Sequence, residues 1–228
     1  MKRNWKLLAL TATLSGCATY TLPIPENFSA ATTLPVTGAS GFNQSRMTVG
    51  DYQVSIDRGS TQERAGAASS ISNARKRQNY SFVITRAGAT TFSGGCVLTA
   101  SATNVAAPGG VQITAQDDAE LDCEMLPQGR GSESWRLRLS GDPDNPLNGT
   151  FKHEHSYSYT LEGIGTAFGS TKHGPTGGYY IKLDGRTLAS VQTTGKRQVL
   201  FGPDMQTDAL VAAAVVLLLI DESVRDLD

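Results

Sequence analysis

The sequence predicts a mainly β protein: a closed antiparallel barrel of about ten to twelve strands around a hydrophobic C-terminal helix. Three observations carry that expectation. Stretches of alternating apolar and polar residues recur from residue 50 onward, the mark of antiparallel strands with one wet face. Asp184-Gly185 separates two such stretches, and these residue types accept the positive φ angles of a two-residue hairpin turn. Ala209 to Ile220 reads ALVAAAVVLLLI, apolar on every side, in a chain of 228 residues that is otherwise polar and glycine-rich.

A helix without a polar stripe must be covered all round. At this length it reaches about 18 Å, short of a hydrocarbon core of about 30 Å, so a buried core helix is expected rather than a membrane span. Laid on an open sheet, half its circumference would stay wet. A sheet curled around it covers it fully, and burying its Val, Leu and Ile side chains contributes on the order of 10–20 kcal/mol before conformational entropy is subtracted. Its Ala and Leu content favours helix over strand, with Thr207 or Asp204 as N-cap and Asp208 suiting the first turn. Asp221 and Arg225, four apart, extend the expected helix to about residues 205–224.

At the other end of the chain, Lys2, Arg3 and Lys6 precede an apolar run from Leu7 to Leu14, the layout of an export signal. The run ends in Leu14-Ser15-Gly16-Cys17, which resembles the bacterial lipobox. That resemblance implies a signal peptide over residues 1–16 and a diacylglyceryl group with acyl chains such as palmitate on Cys17. Two or more chains anchor a protein stably without a spanning helix. Ala18, not aspartate, follows the cysteine, which points to the outer membrane with the domain in the periplasm or at the cell surface. Residues 17–47, rich in Thr, Ala, Ser and Pro with few charges, then read as the lipidated cysteine and a flexible tether, and residues 48–228 as one domain.

Within that domain the candidate strands are residues 50–57, 79–86, 95–101, 111–115, 119–125, 134–140, 149–161, 178–184, 186–193 and 196–202. The longest, GTFKHEHSYSYTL, alternates throughout. Residues 57–79 are polar and rich in Gly, Ala and Ser, and read as a long loop or a short helix around Ala67 to Arg77. Cys96 and Cys123 are expected to form a disulfide in an oxidising compartment, closing a loop worth about 3–4 kcal/mol.

From Gly178 to Ser223, the succession of hairpin, strand, Gly-Pro-Asp turn and apolar helix resembles the ending of tubby-like domains, the group that includes phospholipid scramblases. The resemblance implies a twelve-stranded barrel enclosing its C-terminal helix and a tendency to work at membranes. Over residues 50–177 it extends to architecture alone, and no phosphoinositide-binding motif of that group is present.

Candidate sites are few. His153 and His155 on one strand face, with His173 folded back, would offer three imidazoles to one metal, although aromatic-lined histidines bonded to tyrosine or water satisfy the same pattern. Arg75, Lys76 and Arg77, with Arg58 and Arg64 nearby, would meet lipid phosphate, or simply solvate a loop. Asp142 and Asp144 sit among turn residues without the ladder of a calcium loop, and Gly163 to Gly169 misses dinucleotide spacing. The chain carries 20 Lys and Arg against 21 Asp and Glu with no basic stripe, which speaks against nucleic acid. No serine elbow or His-Glu-x-x-His motif supports an enzyme, and no cofactor is expected. The functional expectation is a non-catalytic binding or scaffold module, lipid-anchored in the outer membrane, contacting a lipid headgroup or an envelope protein partner. The alternative is a metal-binding lipoprotein using His153, His155 and His173.

Overall fold

The computed structural model describes residues 20–26, 28–38, 45–64, 71–106, 112–129, 133–142, 145–153, 158–165 and 176–220. Among these the elements are β1 (Thr32–Thr37), β2 (Arg46–Val49), β3 (Tyr52–Arg64), β4 (Ile71–Arg86), β5 (Ala89–Ala106) and β6 (Gln112–Pro127). They continue with β7 (Trp135–Gly141), β8 (Asn148–His153), β9 (Ser158–Gly165), β10 (Thr176–Leu183), β11 (Arg186–Gln192), β12 (Gln198–Phe201) and α1 (Asp208–Leu219). From β2 to β12 each strand pairs antiparallel with its neighbours in sequence, and β1 closes the ring by pairing with both β2 and β12. The expected closed barrel around a C-terminal helix is what forms.

α1 fills the ring. Leu210 to Leu219 are all buried, as the missing polar stripe requires. The helix enters at what we term the entry end, where Thr207 caps it by accepting from the Leu210 amide at 3.3 Å. There the Tyr52 hydroxyl donates to Asp208 Oδ1 at 2.7 Å, and burial together with that carboxylate pushes the phenol up to about 12. It finishes at the opposite, exit end, where Arg197 Nη2 donates to the Leu218 carbonyl at 2.6 Å. Asp184 (φ 50°) and Gly185 (φ 79°) make the expected β10–β11 turn, and Gly195 (φ 64°) turns β11 into β12.

Three expectations need correction. First, the flexible tether over residues 17–47 gives way wherever those residues are described. β1 is a stave of the barrel, β2 begins at Arg46, and residues 20–26 and 28 lie as a strap over the outer face of β9 to β11. In the strap, Tyr20 donates to the Gly165 carbonyl at 3.3 Å and Leu22 packs on Ile164 and Tyr180. Gln192 Nε2 donates to the carbonyls of Tyr20 and Thr194, each at 3.0 Å, and the Tyr180 hydroxyl donates to that of Pro23. Gly178 makes room for the strap: a Cβ there would stand 2.8 Å from Leu22 Cδ2 and 2.3 Å from the Val191 carbonyl. A segment poor in apolar residues docks because the sheet supplies the surface, with only Leu22 and Phe28 buried from its own side.

Second, residues 57–79 are not simply a loop or helix. β3 and β4 pair without a register shift from Tyr52↔Arg86 to Arg64↔Ala74, so polar sequence continues as ladder. Past Ile56, Tyr80, Ala100 and Ala119, the outermost buried apolar residues among the described side chains, strands β3 to β6 run on as a four-stranded arm. At about 3.3 Å per residue it extends roughly 20–30 Å beyond the exit end.

Third, residues 149–161 are a hairpin, not one strand. Phe151 pairs with Tyr159 and Gly149 with Leu161. Partners of equal parity share a face, so the alternation passes through the turn unbroken and imitates a single strand.

Candidate functional site

Because α1 occupies the barrel interior, chemistry is confined to the outside, the two ends and the arm. The sequence-derived candidates separate along that axis. His153 lies at the entry end, with Nδ1 3.4 Å from Glu133 Oε2 and its ring 4.7 Å from that of Trp135. Trp135 stacks on Phe151 at 4.5 Å, and Tyr159 completes the aromatic row at 6.2 Å from Trp135. His155 and His173 fall outside the described residues. His153 ends β8, and among the described residues no group of three His, Cys, Asp or Glu side chains could hold a metal. Asp142 is occupied locally, accepting from Asn145 Nδ2 at 2.8 Å.

Cys96 and Cys123 stand directly opposite each other on β5 and β6, with sulfurs 2.11 Å apart, both buried in the core. Cys17 lies outside the described residues. The last described residue on its side, Tyr20, is at the exit end, against the β11–β12 turn and Gly165.

Arg75, Lys76 and Arg77 are consecutive on β4 in the arm, so they alternate faces rather than forming one patch. Arg75 and Arg77 are exposed on the outer face; Arg75 stands in register with Glu63, and Arg77 Nε donates to Asn79 Oδ1 at 3.2 Å. Lys76 shares the inward-facing parity of Gln78 and Tyr80 and is half-buried. Where the arm leaves the barrel, the outer face carries a shallow groove of about 590 Å³ between exposed Val83 and Leu126, floored by Ser55, Ser81 and Gly95.

The mouth of the exit end holds residues that motif reading passes over. Arg58 follows Tyr52, Val54 and Ile56 in the same inward phase, and Arg197 precedes Val199 and Phe201 in theirs. Arg58 stands opposite Tyr80 in register, with Gln78 two residues further along β4. Arg58 Nε, Arg197 Nε, the Tyr80 hydroxyl and Gln78 Oε1 are all buried without a hydrogen-bond partner. Burial, and then the facing Arg58 guanidinium, hold Arg197 below the usual guanidinium range. Burial pushes the Tyr80 phenol up, with Arg58 pulling the other way. The signal in sequence was parity: an arginine standing where the strand's alternation calls for an apolar residue.

Compared with known proteins, the chain matches no family model, no curated protein and no solved structure.

Proposed function

We propose that this chain is a lipid-anchored protein of the bacterial outer membrane, and that its plugged barrel is a non-catalytic binding module held with the exit end toward the bilayer. The observation that carries the reading is the strap. It is hydrogen-bonded and packed onto β9 to β11 and delivers Tyr20 to the exit end, three residues after Cys17. An extended chain spans at most about 3.6 Å per residue, so an acyl anchor on Cys17 would hold that end, and the arm beyond it, close to the lipid. No helix among the described residues is long and apolar enough to cross a membrane, which leaves lipid as the anchor this reading uses. Filling of the ring by α1 supports surface binding over enclosure of a small molecule. The twelve-stranded ring around a terminal helix also supports kinship with tubby-like domains, which we include in the proposal.

The test is fractionation followed by depth measurement. The wild-type chain should sediment with outer membranes and Cys17→Ser should be released. In reconstituted vesicles, a fluorophore on Arg77→Cys in the arm should be quenched by brominated lipid, and one on Arg186→Cys at the entry end should not. Equal quenching at both positions, or a membrane-bound Cys17→Ser chain, would refute the reading.

A further inference from the structure

Four polar side chains lie at the exit end, and each keeps a buried atom with no partner: Arg58, Arg197, Tyr80 and Gln78. They come from one side of the ring, where only β1 and β2 stand between β3 and β12. Arg58 and Tyr80 face each other across β3 and β4, and Arg197 reaches over from the β11–β12 turn to the last turn of α1. Arg58 is near enough to both Tyr80 and Arg197 for its charge to act on each.

Part of this arrangement serves the helix. Arg197 Nη2 occupies the Leu218 carbonyl, and a cation suits the negative end of the helix dipole. That role leaves the Nε of both arginines, the phenol and the carboxamide unexplained. Neither arginine takes part in an ion pair among the described residues. Two partly buried guanidiniums near enough to lower one another's proton affinity repel, and an anion bound to both offsets that repulsion.

We propose that Arg58, Arg197, Tyr80 and Gln78 form a binding site for a phosphate group. The guanidinium forks match phosphate oxygens in geometry and charge. The Tyr80 hydroxyl donates to a third oxygen. Gln78 either donates with its amide turned over or accepts from a protonated oxygen through the unpaired Oε1. Both a lipid headgroup and free inorganic phosphate present this chemistry. The site depends on the barrel alone and not on acylation of Cys17, so its failure would leave the anchoring proposal standing.

The experiment uses the full chain in neutral detergent, titrated with inorganic phosphate against sodium chloride at matched ionic strength, and follows the thermal midpoint and bound phosphate by calorimetry. Phosphate should raise the midpoint saturably where chloride does not. Arg58→Gln and the near-isosteric Tyr80→Phe should each weaken phosphate binding at least tenfold, and Arg75→Gln on the outer face of the arm should leave it unchanged. Vesicles containing phosphatidylglycerol that displace the bound phosphate assign the site to a headgroup; retention of phosphate in their presence assigns it to the free ion. The proposal is overturned if the wild-type chain shows no saturable response or if Tyr80→Phe binds as the wild type does. It is equally overturned if phosphate binds only after Asp221→Asn and Glu222→Gln, since the chain's own carboxylates would then fill the mouth.

Discussion

The wall formed by β9 to β12 and the arm formed by the outer reaches of β3 to β6 are made of the same antiparallel ladder, yet they are stabilised differently. β10 is buried along six consecutive residues, Thr176 to Ile181, because α1 covers one face and the strap covers the other. In the arm, the described side chains Arg75, Arg77 and Asn79 are exposed on the outer face, and the ladder is a framework that carries charge outward. The difference teaches that hydrogen-bond pairing sets where strands run, and coverage of their faces sets how much they add to stability. A residue's effect should follow its coverage.

Three variants probe that contrast, from the largest expected effect downward. Val215→Asp puts an unpaired carboxylate at the wholly buried centre of α1 and should abolish cooperative unfolding by urea, a loss above about 4 kcal/mol. A retained sharp transition would mean that the ring stands without its filling. Leu22→Ala strips the strap's main buried side chain and should cost about 2 kcal/mol, with proteolytic cleavage near residues 20–30 appearing while the β5–β6 amides stay protected from exchange. Global and local loss occurring together would show that strap and barrel form one cooperative unit. The double change Arg75→Ala and Arg77→Ala should leave the urea midpoint within about 0.5 kcal/mol of the parent. A larger shift would mean that the arm is packed rather than merely paired.

The contrast also explains what could be read from the residues alone. ALVAAAVVLLLI announces its own burial, and among a dozen strands with no other helix expected, a ring is the arrangement that covers it. Cys96 and Cys123 and the Asp184-Gly185 turn were readable for similarly local reasons. The strap was not, since its docking depends on a surface created by distant strands, and a Thr- and Pro-rich stretch looks alike tethered or docked. Nor was the arm, because uncovered strands need no apolar alternation and so lack the usual sign. The hairpin at residues 149–161 hid behind equal parity. Of the phosphate-site residues, Arg58 and Arg197 carried a signal, an inward phase at a charged position, which becomes readable once strand phase is weighed ahead of charge clustering. Gln78 and Tyr80 carried none.

Pairing of β1 with β12 sets a schedule for the molecule's birth. Thr32 meets Phe201 only after the intervening chain is available, and the rod that stuffs the ring is joined on still later. Closing that one long loop costs entropy that the neighbour-to-neighbour hairpins of β2 to β12 do not incur. The ring therefore stays open until nearly the whole chain is available. Its early staves are left in the meantime to whatever escort keeps oily, half-made sheets from finding one another.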